Sequence, residues 1–323
     1  MMSVSHEFPL LVIAGPTASG KSALALALAE QLHGEIVNYD SVQIYRGLVV
    51  GAGKLPLADR RGIPHHLLDC REPEEVFTAG DYRREALAVL AGIRERGKLP
   101  ILVGGTGLYL RALLQGLFEG PARSEELRAR LRLLAEQRGR ERLHQVLRRL
   151  DATAASKIQP RDTQKTIRAL EVCLLARQPI SAMHASGRSG LEGFRVYKIG
   201  LDPDRARLYQ RINQRVEAMF AQGILEETRA LLARPQAVDL KVLGALGYRQ
   251  ACNVLRGQSD LTEALRDTQV ATRQYAKRQM TWFRREPDMH WYYGFGDDPE
   301  IQRRVLGSLE QSGAASLQAA TGS

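Results

Sequence analysis

The chain has 323 residues, of which 44% are hydrophobic and 25% charged, and it carries a formal net charge of +10. This is the composition of a soluble globular protein long enough for two domains, and no apolar run approaches the ~20 residues of a membrane-spanning helix. The opening Met1-Met2-Ser3-Val4-Ser5-His6-Glu7 has no basic region, so no signal peptide is expected. Cys70, Cys173 and Cys252 lie far apart, which argues against a zinc module or a disulfide framework and suits a reducing cytosol.

Leu10-Leu11-Val12-Ile13-Ala14 reads as a buried parallel strand. It runs into Gly15-Pro16-Thr17-Ala18-Ser19-Gly20-Lys21-Ser22, a G-x-x-x-x-G-K-S sequence, and Ala23 to Leu32 then predicts a helix. Strand, glycine-rich turn and helix start together make an anion seat. Backbone N–H groups and the helix N-terminus face the phosphates, Lys21 adds a charge, and the Ser22 hydroxyl is placed to hold Mg²⁺. The motif by itself admits ATP or any other di- or triphosphate.

The second strand is Glu35 to Tyr39. It ends at Asp40, a carboxylate where ligands of such sheets bind. Asp40 is open to three readings: metal ligand, general base, or cap of the next turn. Residues 47–69 read as irregular, and His65 and His66 as structural histidines. Thr78-Ala79-Gly80-Asp81 announces a helix over about Tyr82 to Arg96, and Pro100 to Val103 a third strand. That strand breaks at Gly104-Gly105-Thr106-Gly107 without the carboxylate an NTP-hydrolysing engine would place there. Thr106 is either a hydroxyl for the site or a helix cap.

From Pro121 to Gly190 no strand is expected, only Arg/Leu-rich helices at Glu125–Gln137, Arg140–Leu150 and Thr163–Ala176. A strand at Arg195–Leu201 rejoins the core. Helices follow at 205–233, at 241–256 and from Thr262 to about Arg284. The expected fold is therefore α/β, a P-loop NTPase-like parallel sheet flanked by helices, with an inserted all-helical domain. The α/β core takes 1–119 and 196–305, the insert 120–195, and the Ser/Ala/Gln/Gly-rich tail 306–323 is expected to be disordered.

The positive charge is concentrated. Residues 121–170 hold 13 Arg and Lys against 6 Asp and Glu, and residues 266–285 hold 6 against 1. Two basic stretches on a near-neutral body point to a polyanion larger than a nucleotide, the alternative being solvated helix faces. In the last long helix Tyr275, Gln279 and Trp282 share a face, with Arg273, Lys277 and Arg278 beside it. Aromatics among cations suit single-stranded RNA; a core helix with buried aromatics is the plainer reading.

Taken together, the chain resembles the tRNA dimethylallyltransferases over about residues 10–293. The resemblance rests on G-P-T-A-S-G-K-S at 15–22, D-S-V-Q-I-Y-R-G at 40–47, P-H-H-L-L-D at 64–69 and V-G-G-T-G-L-Y at 103–109. It continues with R-D-x-Q-K-x-x-R-A-L-E-V at 161–172, L-Y-Q-R-I-N-Q-R-V at 208–216, L-G-Y-R-Q at 246–250 and T-R-Q-Y-A-K-R-Q-M-T-W at 272–282. The chain departs from the family at Gly51-Ala52-Gly53-Lys54-Leu55-Pro56, where G-T-A-K-P is usual. Ala52 lacks the hydroxyl and Leu55 is extra, with Lys54 still expected to point at the phosphate.

The resemblance implies transfer of a dimethylallyl group from dimethylallyl diphosphate to N6 of adenosine 37 in the tRNA anticodon loop. Asp40 would be the base and Thr106 would align the substrates. Gly15 to Ser22 and Arg215 would seat the diphosphate, with Mg²⁺ on Ser22. It implies tRNA contacts at Asp40, Ser41, Val42, Gln43, Thr106, Arg128, Gln164, Lys165, Thr166, Ile167, Arg168, Gly247, Tyr248, Arg249 and Gln250. Arg273, Lys277 and Arg278 join them from the basic helix. The partners are then tRNA and dimethylallyl diphosphate, with no membrane and no protein partner, so that a cytoplasmic monomer suffices. A P-loop kinase acting on a metabolite shares the core and lid but leaves the basic aromatic helix unexplained. A nucleotide-regulated RNA-binding protein leaves Asp40 and Thr106 unexplained.

Overall fold

The structure, a computed structural model, describes residues 7–313 apart from 119, 186, 188, 236, 238 and 239. The chain divides into two compact units, residues 1–113 with 192–323, and residues 114–191.

The first unit is built on one parallel sheet. Its strands are β1 (Phe8–Ala14), β2 (Gly34–Asn38), β3 (His65–His66), β4 (Leu99–Val103), β5 (Phe194–Leu201) and β6 (Met289–Tyr292). They stand in the order β3-β2-β4-β1-β5-β6. β1, β2 and β4 are apolar because both sheet faces are covered: Leu11, Ile13, Ile36, Ile101 and Leu102 are almost wholly buried. Each such side chain contributes about 1.5–3 kcal/mol of hydrophobic stabilisation.

Register sets the site. Val103 pairs with Ile13 on one side and Asn38 on the other, so the carboxyl ends of β1, β4 and β2 finish level. Three loops therefore open into one crevice: the P-loop, the turn after Asn38, and Gly104–Gly107.

Helix α1 (Lys21–Gln31) follows β1, α2 (Ala79–Glu95) precedes β4, and α3 (Gly107–Gln115) follows it. A Thr78–Asp81 capping box starts α2 three residues earlier than the sequence suggests. The second unit is helical, with α4 (Glu125–Arg138), α5 (Arg140–Leu150), α6 (Ala152–Lys157), α7 (Thr163–Ala176) and α8 (Ile180–Ala185). Its own core gathers Leu131, Leu143, Leu147, Ala155, Leu170 and Val172. Asp151 joins two short helices that the sequence did not announce. It caps α6 through Ala154 N–H and accepts from the N–H and hydroxyl of Ser181 on α8.

The first unit resumes with α9 (Arg205–Ala221), α10 (Ile224–Leu232), α11 (Tyr248–Leu255), α12 (Leu261–Phe283) and α13 (Pro299–Gln311). The stretch expected as helix over 205–233 breaks at Gly223, whose φ of 104° no helix interior tolerates. Phe194 and Arg195 belong to β5, not to the insert. Residues 306–311, expected in a disordered tail, are helical: Ile301, Val305 and Leu309 of α13 recur every fourth position and pack into the sheet core. The rest of that tail, from residue 314, lies outside the described residues.

Candidate active site

At the P-loop, Gly20 takes φ of 83° and releases the chain into α1 without a side-chain cap, and no acidic residue occupies the first turn. The helix thus starts with unspent N–H groups beside a positive helix end. Lys21 Nζ donates to the Pro16 carbonyl at 2.7 Å, and the Ser19 hydroxyl is buried without a partner among the described residues. Burial, followed by the nearby Arg215 guanidinium, pushes Lys21 down to about 7 while Asp40 pulls the other way. A lysine held in this manner binds an anion in place of the solvation it has lost. Arg215 Nη1 stands 3.4 Å from Thr17 Oγ1. Ser22 is exposed at the first turn of α1.

Asp40 divides its two oxygens between two tasks. Oδ1 accepts from the N–H groups of Val42 at 2.9 Å and Gln43 at 3.4 Å, capping the turn. Oδ2 lies toward Gly105, 3.3 Å from where a side chain there would begin. Asn38, buried at the end of β2, steadies the turn by accepting from Asp40 N–H and donating to the Asp40 and Leu67 carbonyls.

Thr106 is a strut. Its Oγ1 accepts from Ser41 N–H at 3.0 Å and donates to Ser41 Oγ at 3.1 Å, while its carbonyl accepts from Tyr109 N–H at the start of α3. The hydroxyl thus holds the Asp40 turn against the β4 turn.

Gln279 on α12 is a residue whose role sequence reasoning missed. Its Oε1 accepts from Thr17 N–H at 2.8 Å and its Nε2 donates to Gly105 O at 3.0 Å, fastening the P-loop to the β4 turn. Nothing local distinguishes this glutamine from its neighbours; its partners lie 262 and 174 residues away.

The crevice therefore presents a seat for a small polyanion with a partly committed carboxylate alongside. Residues 43–286 match the family model described as IPP transferase. The chain is 53% identical over 298 residues to a tRNA dimethylallyltransferase of Solibacter usitatus, covering 92% of this chain and 97% of that one. It is 55% identical over 303 residues to one of Koribacter versatilis, covering 94% and 98%. The chain belongs to the IPP transferase family. Among solved structures, the full-length tRNA isopentenylpyrophosphate transferase of Bacillus halodurans matches with a TM-score of 0.69 at 35% identity, over 96% of this chain and 99% of that one. A eukaryotic dimethylallyltransferase acting on tRNA matches with a TM-score of 0.80 at 26% identity, over 94% and 80%.

The residues singled out for RNA fall into two sets. Ser41, Val42 and Gln43 line the crevice turn, partly exposed, and Gln164, Lys165, Arg249, Lys277 and Arg278 are exposed. The others are engaged inside the protein. Thr166 and Ile167 are buried in α7. Arg128 and Arg168 both bind the wholly buried Glu171, whose two oxygens also receive Ser124 N–H. Burial alone would raise Glu171, but hydrogen bonds from Arg128, Arg168 and Ser124 bring it down to about 2. Tyr248 and Gln250 are buried, and Gln250 Oε1 accepts from Gly247 N–H to begin α11, so in Gly247–Gln250 only Arg249 presents its side chain outward.

The aromatics of α12 also face inward, as in the plainer reading of that helix. Trp282 packs on Gly107, where a β-carbon would lie 2.2 Å from its Nε1, and it carries the Arg111 guanidinium 4.3 Å above its ring. Tyr275 Oη reaches Gly105 O at 3.4 Å, and Arg273 donates to Asn213. Lys54 does not point into the crevice. It is buried, pairs with Asp69 at 2.5 Å and donates to the Tyr45 carbonyl. His65 and His66 are structural, bonded to Ile63 O and Glu35.

Among the described residues no group of three or more His, Cys, Asp and Glu is placed to hold a metal. One exposed serine hydroxyl beside an anion seat nonetheless fits Mg²⁺, which takes few protein ligands and completes its shell with substrate phosphates and water. No helix of the described residues is long and apolar enough to cross a membrane.

Proposed function

We propose that this IPP transferase moves the dimethylallyl group of dimethylallyl diphosphate to N6 of adenosine 37 in the tRNA anticodon loop and releases diphosphate. The observation that carries the chemistry is Asp40, with Oδ1 tied into its turn and Oδ2 left near Gly105, in the crevice that also holds the anion seat of Lys21, Arg215 and the α1 N-terminus.

N6 is a weak nucleophile because its lone pair is delocalised into the purine. As the N6–C1 bond forms and the C1–O bond breaks, the C–O electron pair leaves with the diphosphate. Asp40 Oδ2 takes the N6 proton, the role a positioned base plays. With Oδ1 engaged by the Val42 and Gln43 N–H groups, Oδ2 is the oxygen left to accept. Lys21, Arg215 and the P-loop amides stabilise the charge gathering on the leaving group. Ser22 would hold Mg²⁺, which when bound supplies further positive charge there. Thr106 keeps the Asp40 turn in register through Ser41. The absence of a carboxylate at the end of β4 accords with a P-loop that seats a leaving group and does not hydrolyse ATP.

A base inside a stacked loop must be extruded to reach this crevice. In the first unit Ser41–Gln43, Arg249, Lys277 and Arg278 would meet the RNA, and in the helical unit Gln164 and Lys165 would do so, since each is at least partly exposed; the setting would be cytoplasmic.

Asp40→Asn tests the reading. Single-turnover transfer with both substrates saturating is expected to fall ~10²–10⁴-fold at unchanged substrate affinity. A defect that shrinks as Mg²⁺ is raised makes Asp40 a metal ligand instead. A rate within about threefold of the parent leaves Asp40 as a cap only and overturns the assignment.

A further inference from the structure

Loop 49–54 reads Val-Val-Gly-Ala-Gly-Lys, and its first three N–H groups turn toward one carboxylate, Glu227 of α10. Oε2 accepts from Val49 and Val50, both at 2.8 Å, and Oε1 accepts from Gly51 at 3.1 Å and from the Tyr248 hydroxyl. Burial, then the bond to Glu227, raises the Tyr248 phenol above its ordinary range and keeps it a donor. Its ring lies so close to the loop that a β-carbon on Gly51 would sit 2.5 Å from it. At the other end the loop is pinned by Lys54 to Asp69 and the Tyr45 carbonyl.

Between these two anchors the loop crown meets the crevice. Gln43 Nε2 donates to the Ala52 carbonyl at 3.1 Å. Gly53, at φ of 58°, lies against Arg215 so tightly that a β-carbon would fall 1.9 Å from its guanidinium. Arg215 has no carboxylate within ion-pair distance among the described residues; what orients it is this backbone and Thr17.

We propose that Glu227 is a positioning residue for the anion seat. By collecting three loop N–H groups and one phenol, it sets Gly53 beneath Arg215 and so fixes the direction in which Arg215 meets the diphosphate. This rests on the reading of the P-loop and Arg215 as the diphosphate seat. Glutamine at 227 would turn N–H toward N–H at one pair of donors, so the device requires the charge as well as the shape.

The test is a double-mutant cycle read on each substrate separately. Glu227→Gln is expected to lower kcat/KM for dimethylallyl diphosphate about tenfold while leaving KM for tRNA within about twofold. Arg215→Ala alone is expected to lower the same quantity about 100-fold. Adding Glu227→Gln to Arg215→Ala then costs less than about twofold more, since the positioned group is gone. A full tenfold loss persisting in the Arg215→Ala background overturns the inference, as does an equal change in KM for tRNA. If Arg215→Ala leaves dimethylallyl diphosphate unaffected, the diphosphate-seat reading itself fails at Arg215. Tyr248→Phe removes one of the four donors and keeps the ring on Gly51, so it serves if Glu227→Gln folds poorly. It is expected to lower kcat/KM for dimethylallyl diphosphate two- to fivefold, about the worth of one bond, and no change refutes the proposal.

Discussion

Lys21 in the crevice and Arg128 in the helical unit are both cations in basic surroundings, and the protein treats them in opposite ways. Arg128 meets Glu171 with both prongs of its guanidinium at 2.8 Å, and Arg168 and Ser124 N–H complete the same carboxylate. Its charge is spent within the fold. Lys21 has a backbone carbonyl for partner and is pushed to about 7 by burial and by a second cation. Its charge is held against a cost that an incoming anion removes. The lesson is that a basic residue marks a binding site only when the fold leaves its charge uncompensated, and sequence counts alone do not separate the two cases.

The sharpest way to break this comparison is Lys21→Ala. Turnover is expected to fall about 10²–10³-fold, as when one donor to a developing anion is removed, with tRNA affinity within about twofold. The parent protein should also show a pH signature. Lys21 has its pKa depressed from the ordinary 10.5 to about 7, and the diphosphate binds the protonated form, so donor affinity declines as pH rises through 7. Above that point the decline approaches about tenfold per pH unit and binding takes up a proton. Isothermal titration of a non-reactive diphosphate in buffers of different ionisation enthalpy measures the uptake. A profile identical in Lys21→Ala and the parent would assign the titration to another group.

The opposite pole is Glu171→Gln. Removing a buried carboxylate that neutralises two arginines is expected to cost about 3 kcal/mol in denaturant unfolding. With a folded value of about 2 against an ordinary 4.5, the stabilisation is complete above about 4.5 and is lost as pH falls from there through 2. Glu171→Gln should therefore show a flatter stability profile than the parent across that window. An unchanged melting midpoint would mean that the cluster is a surface network and that Arg128 is free after all.

Legibility in the sequence followed the range of the signal. The P-loop, the carboxylate after β2, the turn after β4 and helices α1, α4, α5, α7 and α12 are written in contiguous residues, and their expected bounds lie close to those observed, whereas the helices expected at 205–233 and 241–256 are interrupted at Gly223 and Gly247. β3 spans two residues and β6 four, too short to show any alternation. α13 is not expected from the sequence at all, because the small polar residues after 306 obscure the Ile301, Val305, Leu309 stripe. Gln279 and Glu227 could not be read, since the loop backbone that each one fastens lies more than 170 residues away along the chain. Within the basic stretch 121–170, Arg128 and Arg168 are indistinguishable from its exposed cations, because Glu171, which neutralises both, lies just beyond it.

The smallest expected effect sharpens the comparison most finely, because it sets an engaged cation against a free one in the same assay. Lys277 is exposed on α12 with no carboxylate in ion-pair range among the described residues, whereas the Arg128 side chain is 17% exposed and bonded to Glu171. If an uncompensated cation is what meets RNA phosphate, Lys277→Gln should weaken tRNA binding severalfold at moderate salt. It should also reduce the slope of log K against log salt by about 0.7, the counterion released by one contact on a single strand. Arg128→Gln should leave that slope unchanged while lowering the denaturant midpoint, because its charge was never available to the RNA. Filter binding across a salt series, run beside unfolding curves for both variants, separates the two outcomes. Equal slopes for both variants would show that exposure and internal pairing do not decide which cations of this enzyme face its substrate, and the distinction drawn between Lys21 and Arg128 would then hold only inside the crevice.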